Sequence, residues 1–288
     1  MLVHIKELFK ENLTGEFAYP AFNTQNLETT IGIIQAGQEL AVPVIIATTE
    51  GTVSYAGLET IFEIVATLAH KSKSPVALHL DHGKDMDRLK RAIKLGYSSV
   101  MIDHSHLPFD QNVRDTREIV QFAHDAGAWV QGEIGRLRGT EDWVSVSDVE
   151  SLLTEPEEAL KFYQATKVDT LACSVGTVHG ILKIRGGIKP RVDLPRIKAI
   201  CERVRVPLVL HGASGLDEET ISGAIRNGIC IINIDTELRI AFSDALRESL
   251  NRHPDEIDPR HFMNPAIEAV KDAAKLKLTQ FRTRNLLN

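Results

Sequence analysis

The sequence predicts an α/β fold: a single (β/α)8 TIM barrel with an additional C-terminal helix, occupying residues 1–288. Three observations carry this. Eight short apolar, strand-like runs alternate with helix-like segments along the whole chain. Such alternation means a parallel sheet, and eight repeats close it into a barrel. The length suits one barrel of this kind, typically about 250 residues, and no linker or low-complexity stretch divides the chain.

The strand-like runs are Phe17–Phe22, Val42–Thr48, Val76–Asp81, Ser99–Asp103, Ala128–Glu133, Thr170–Val175, Leu208–His211 and Cys230–Ile234. The first is the least regular, because Pro20 removes a ladder donor. Helical spacing places Leu27–Leu40, Leu58–Lys71, Asp85–Leu95, Asn112–Ala126 and Glu155–Thr166 between strands. After the eighth unit, Asn264 is a candidate N-cap with Pro265 at the first helical position. Ile267, Val270, Ala274 and Leu278 then recur at helical spacing, so this helix should pack on the barrel. The tail after Phe281 reads as loose.

Composition narrows the function. A hydrophobic fraction of 43% supplies a large core. A formal charge of −6 argues against a sequence-blind nucleic-acid binder, which needs a basic face. It leaves a phosphorylated small molecule open, since a few local donors decide phosphate binding. Cys173, Cys201 and Cys230 form no C-x-x-C pair and read as reduced thiols, favouring a cytoplasmic setting. The N-terminus MLVHIKELFKENL lacks the long apolar core of a signal peptide. No stretch approaches the roughly 18 apolar residues of a membrane span.

A parallel barrel gathers the carboxyl ends of its strands in one mouth. His82, His179 and His211 lie at or shortly after the ends of strand-like runs, and three histidines converging on an open site is a catalytic-metal pattern. Parity sharpens this. If Asp103 points inward, so do Met101 and Ser99, while Val100 and Ile102 face the helices. Glu133 then shares the inward face with Gln131, His211 with Val209, and Asn233 with Asp235. Asp81 and His79 share one inward face; Asp81 is a natural general acid or base, and His79, lying deeper, reads as a core histidine. His104 and His106 read as solvated or supporting groups. Gly212-Ala213-Ser214-Gly215 and Asn233-Ile234-Asp235-Thr236 fall where such barrels hold phosphate, with Lys183 as a candidate cation.

At these residues the chain resembles the class II, metal-dependent fructose/tagatose-bisphosphate aldolase family. The resemblance lies in Leu78–Gly83 (LHLDHG), Ser99–His106 (SVMIDHSH), Gly132–Gly135 with Glu141-Asp142, Gly176–Gly180 (GTVHG), Leu210–Gly215 (LHGASG), Asn233–Thr236 (NIDT) and Asp258-Pro259-Arg260. It implies that His82, His179 and His211 bind a catalytic Zn²⁺ and that Asp81 handles the C4 hydroxyl proton. Asp103 and Glu133 correspond to groups near an alternative or second metal position. Gly180, Lys183, Gly212, Ser214, Asn233, Asp235 and Thr236 correspond to residues holding the dihydroxyacetone-phosphate half, in part through a monovalent cation, Na⁺ or K⁺. Glu141 is implied in proton transfer at the carbon that becomes nucleophilic. Asn23 and Thr49 match positions near the other end of the sugar. The implied partner is a sugar phosphate, with neither nucleic acid nor membrane, and the chain is expected to form a homodimer or homotetramer.

His104 stands where the family commonly has glycine, Gln131 where it commonly has glutamate, and Ile181-Leu182 lacks an aromatic often found before the lysine. The 138–141 loop is less glycine-rich. The implied reaction is cleavage of a ketose 1,6-bisphosphate to dihydroxyacetone phosphate and glyceraldehyde 3-phosphate. The aspartate in Asn233-Ile234-Asp235-Thr236 favours fructose over tagatose 1,6-bisphosphate, its C4 epimer. A barrel hydrolase is disfavoured because Phe17–Asn23 carries no H-x-H, and an imine-forming aldolase because no predicted strand holds a lysine.

Overall fold

The computed structural model describes residues 1–9, 16–135, 138–141, 144–146, 153–179 and 190–281; 138–141, 144–146 and 179 are described in the backbone alone. The strands are β1 (Tyr19–Asn23), β2 (Val44–Thr49), β3 (Val76–Gly83), β4 (Ser99–Ile102) and β5 (Trp129–Ile134), then β6 (Arg138–Glu141) and β7 (Val144–Val146). They continue as β8 (Thr170–Cys173), β9 (Val178–His179), β10 (Leu208–Leu210) and β11 (Ile229–Ile234). Eight of them close a parallel barrel in the order β1-β11-β10-β8-β5-β4-β3-β2. Each expected strand-like run supplies one barrel strand. Pro20 lies inside β1, paired with Ile232, where the ladder to β2 has not begun; that pairing starts at Ala21.

The helices are α1 (Leu27–Leu40), α2 (Glu50–Ala56), α3 (Leu58–Lys71), α4 (Met86–Leu95), α5 (Phe109–Asp125), α6 (Pro156–Thr166), α7 (Leu194–Arg203), α8 (Glu218–Arg226), α9 (Thr236–Arg252) and α10 (Pro259–Gln280). Short polar side chains start several of them. Asn26, Asp85, Asp193 and Asp217 accept from backbone N–H groups of the first turns of α1, α4, α7 and α8. Such caps satisfy donors that no helical carbonyl reaches.

Strand alternation divides the core in two. Ala21, Ile45, Ala77, Met101, Ala172, Val209 and Ile231 fill the barrel interior. Val100, Ile102, Val130, Leu208, Leu210 and Ile232 face the helices. The expected parity of Met101 and Val209 therefore holds. A 3-10 turn, Ile5–Phe9, closes the amino end of the barrel, with Ile5 and Leu8 joining the interior core. The Tyr19 hydroxyl donates to the Leu8 carbonyl.

Two features depart from expectation. The last helix starts at Pro259, capped by Asp258, whose side chain accepts from the Arg260 N–H. Asn264 is exposed and Pro265 lies inside the helix. The cap-then-proline signature occurs at both Asp258-Pro259 and Asn264-Pro265, and the earlier copy starts the helix. Second, β6, β7 and β9 form a separate sheet in which β6 runs parallel to β9 and antiparallel to β7. Among the described residues, no single helix is long and apolar enough to cross a membrane.

Candidate metal centre

Strand β3 delivers two neighbouring side chains to the mouth, which a regular strand cannot do because alternate residues face opposite sides. The pairing of β3 with β4 shifts between Leu80 and Gly83, and His82 adopts a left-handed φ of 49°. Positive φ in a non-glycine residue carries strain that persists only where its surroundings impose it. Here the bulge turns His82 to the same end of the barrel as the inward Asp81. Gly83 is required beside it, because a Cβ there would lie 2.8 Å from the Met101 carbonyl and 2.4 Å from a Leu89 methyl.

Around the ring, β10 stands opposite β3, four strands away. His211, just beyond β10, reaches across so that its Nδ1 lies 3.0 Å from His82 Nε2. The ring centroids are 4.6 Å apart, edge to face. The far nitrogen of each ring also has a partner. His82 Nδ1 is 2.9 Å from Asp103 Oδ2 and 3.6 Å from Glu133 Oε2. His211 Nε2 is 2.9 Å from the Gln131 amide nitrogen. Burial would raise the Asp103 carboxyl, but the hydrogen bond and charge of His82, with Ser105 and Lys84, hold it well below the usual range.

Among the described residues, two sets of donors are compact enough to hold an ion: Asp81, His82 and His211, and His82, Asp103 and Glu133, each with donor atoms within 4.8 Å of one another. The third expected histidine, His179, ends β9. A Cβ on Gly212 would fall 2.9–3.1 Å from the Val178 backbone, so the missing side chain and φ of 63° let β9 pass directly against the residue after His211. The His179 side chain lies outside the described residues. Glu141 ends β6, whose Gly139 registers with His179; its side chain likewise lies outside them. Gly180 and Lys183 lie outside altogether.

Asp81 is fully buried and held from two other strands. Its Oδ2 accepts from Asn23 Nδ2 at 2.9 Å and from Asn233 Nδ2 at 3.2 Å. That direction leaves the amide oxygens of Asn23 and Asn233 buried with no hydrogen-bond partner among the described residues. Buried polar atoms without partners are uncommon, and two beside one carboxylate suit a hydroxyl-bearing ligand. Asn23 thus sits at Asp81 itself. Below, His79 Nδ1 pairs with Ser99 Oγ at 2.9 Å and Nε2 lies 3.9 Å from Asp81 Oδ1. Burial drives the His79 pKa down to about 4, so it is a neutral core residue.

The remaining expected contacts are mixed. Ser214 is buried and Thr236 opens α9. The Gly215 N–H, however, donates to Glu237 Oε1 at 2.6 Å. Asp235 accepts from Gln25 Nε2 at 2.9 Å and from Arg239 Nε at 2.7 Å. The Thr49 hydroxyl caps α2, accepting from the Thr52 N–H. His104 bridges Asp115 and the Lys84 carbonyl, a supporting role. Three features escaped the sequence reading: the left-handed His82, the amide pair on Asp81, and Gln131 behind His211. A polar Gln131 on an inward face next to Glu133 was the signal available for the last.

The sequence pattern described as fructose-bisphosphate aldolase class-II matches residues 3–286. The chain is 41% identical over 302 aligned positions to a fructose-bisphosphate aldolase from Thermus caldophilus, covering 98% of each chain. Its fold is similar to the crystal structure of the YdjI aldolase from Escherichia coli K12, with a TM-score of 0.82, 31% identity and complete coverage of both chains. A Coccidioides immitis protein gives a TM-score of 0.87 at 29% identity, covering 98% of this chain and 97% of that one.

Proposed function

The chain belongs to the class-II fructose-bisphosphate aldolase family, and from that premise we propose that it is a zinc-dependent aldolase. Its proposed reaction is reversible cleavage of fructose 1,6-bisphosphate to dihydroxyacetone phosphate and glyceraldehyde 3-phosphate. The observation that carries this is the convergence of His82 Nε2 and His211 Nδ1 at 3.0 Å beside an amide-held Asp81. Zn–N bonds of 2.0–2.1 Å in a tetrahedral site put two ligand nitrogens roughly 3.3 Å apart. Histidine ligands generally donate their second N–H to a neighbouring acceptor, as His82 can to Asp103. His82, His211 and His179 would hold the ion, with Asp103 and Glu133 orienting His82 or serving an alternative position. When bound, zinc supplies Lewis-acid stabilisation of the negative charge left on the three-carbon fragment by cleavage.

The protein's own part is proton handling and orientation. Asp81 takes the C4 hydroxyl proton as the C3–C4 bond breaks, leaving an aldehyde at C4 and the electron pair on the dihydroxyacetone-phosphate half. Asn23 and Asn233 aim the Asp81 carboxylate, and their amide oxygens accept from sugar hydroxyls. Glu141 returns a proton to C3. Gly180, Lys183, Gly212, Ser214, Asn233, Asp235 and Thr236 hold the dihydroxyacetone-phosphate half, with Na⁺ or K⁺ assisting some of them. The preference for fructose over tagatose 1,6-bisphosphate rests on Asp235. A polar group discriminates more sharply than an apolar wall, because the wrong epimer leaves it unpaired.

The test is a retro-aldol assay on both bisphosphates before and after chelation. We expect chelation to abolish cleavage, Zn²⁺ or Co²⁺ to restore it, and kcat/KM to favour fructose 1,6-bisphosphate. Irreversible inactivation by borohydride with substrate would instead establish an imine. Higher efficiency on the tagatose epimer would reverse the substrate assignment.

A further inference from the structure

We propose that Gln131 is the positioning residue of His211: its side-chain amide selects which ring nitrogen carries the proton, and so sets how tightly the centre holds a divalent ion. This rests on the zinc reading above. Gln131 lies on β5, two strands from β10, and is buried. Its amide nitrogen is 2.9 Å from His211 Nε2 and 3.0 Å from the Met101 sulfur, a weak acceptor.

A consistent proton chain follows. Gln131 N–H donates to His211 Nε2, which leaves the ring proton on Nδ1. His211 Nδ1–H then donates to His82 Nε2 at 3.0 Å, and His82 Nδ1–H donates to Asp103 Oδ2 at 2.9 Å. In this state the His211 nitrogen facing His82 carries hydrogen, where a ligand needs a lone pair. Holding an ion requires the His211 proton to sit on Nε2, with an acceptor opposite. A primary amide provides one by turning its oxygen into the place of its nitrogen, since the two ends are nearly the same shape. Gln131 therefore serves both states, donating to the ion-free ring and accepting from the ion-bound one.

The two histidines are backed differently. His82 has the carboxylate of Asp103 behind it, which only accepts and so keeps the proton on Nδ1 and the lone pair on Nε2. His211 has a neutral amide that also stabilises the unproductive tautomer. Zinc binding at His211 thus competes with a hydrogen bond that a carboxylate at position 131 would not make. The amide makes the centre easier to empty.

The test compares Gln131→Glu and Gln131→Met in the full-length protein. Zn²⁺ affinity is read by competition with a chromophoric chelator, and the His211 tautomer by ¹⁵N NMR with and without Zn²⁺. Loss of a group orienting a metal-bound histidine weakens affinity about 10–100-fold. The expected order is Gln131→Glu tightest, wild type next, and Gln131→Met weakest by about that factor. Wild-type His211 should carry its proton on Nδ1 without zinc and on Nε2 with it, while Gln131→Glu carries it on Nε2 in both. Any other order of affinities, or one unchanging tautomer in the wild type, overturns the proposal. His211→Ala separates the two readings. If it binds zinc as wild type does, the zinc assignment fails. If it loses zinc while both Gln131 variants bind like wild type, only the role of Gln131 fails.

Discussion

Asp81 and His211 are both buried, and the mouth sets them different tasks. Asp81 is gripped by two amides, so its loss removes the proposed proton acceptor while leaving His82 and His211 to face each other. Asp81→Ala should lower turnover by about 10²–10⁴-fold, the usual worth of a positioned acid or base, and keep most of the bound zinc. His211→Ala should lose zinc and activity together. Measuring zinc content and kcat on the same preparations separates the cases; an Asp81→Ala protein with near-normal turnover would remove Asp81 from the chemistry. His79 acts on stability. Its pKa is about 4 when folded and 6.5 when exposed. Between those values the unfolded chain binds a proton that the folded chain does not, so stability falls as pH falls from 6.5 towards 4. The slope is about 1.4 kcal/mol per pH unit, roughly 3 kcal/mol over the window. Urea midpoints of chelator-treated wild type and His79→Asn at pH 7 and 4.5 should show the smaller pH effect in the variant. Equal effects would mean His79 is not held neutral.

Among the elements, the last helix shows how a start signal is chosen. Both Asp258-Pro259 and Asn264-Pro265 read as a cap followed by a first-turn proline, and only Asp258 accepts a hydrogen bond from the helix. Pro265 instead sits on an exposed face, where it cannot donate to the carbonyl four residues back. Asp258→Ala should therefore cost about 0.5–2 kcal/mol and Asn264→Ala less than about 0.5 kcal/mol, read from urea midpoints. The reverse order would restore the later start. This helix also packs tightly on α1, where a Cβ at Gly32 would lie 2.8 Å from the Ile267 carbonyl and 2.9 Å from Val270 Cγ1. Gly32→Ala should destabilise by about 1–3 kcal/mol through overpacking while leaving kcat unchanged, since the contact is remote from the mouth. A stable variant would show that α10 can shift outward.

At the scale of the whole molecule, the barrel brings together what the chain keeps apart. His82 and His211 are separated by 129 positions, and each side chain alone is an ordinary strand-end histidine. Closing the ring sets β3 opposite β10, so the two rings meet across the mouth. A ligand bound only by that assembled arrangement stabilises the folded state by RT ln(1 + [L]/Kd), about 4 kcal/mol at a thousandfold excess over Kd. The Tm of the chelator-treated protein should therefore climb with free Zn²⁺ concentration, and His211→Ala should lose most of that climb. A wild-type Tm indifferent to zinc would remove the centre.

The barrel was legible in the sequence because its evidence is local: apolar runs of strand length, a period-2 alternation that sorted Met101 and Val209 inward, and helical spacing between them. Parity also brought Asp81, Glu133 and His211 to one end. Its limit is the strand itself. The rule places neighbours on opposite faces, and His82 joins Asp81 at the mouth only because the β3–β4 register shifts and φ turns positive. The same limit applies to Asp235, one residue past the end of β11, whose carboxylate is oriented by Gln25 and Arg239. Pairings between distant strands were beyond any local pattern: the amides of Asn23 and Asn233 on Asp81, Gln131 behind His211, and β9 laid against Gly212. Periodicity along one strand determines which residues face inward. Which of them touch depends on ring order, register and side-chain reach, and those exist only once the barrel has closed.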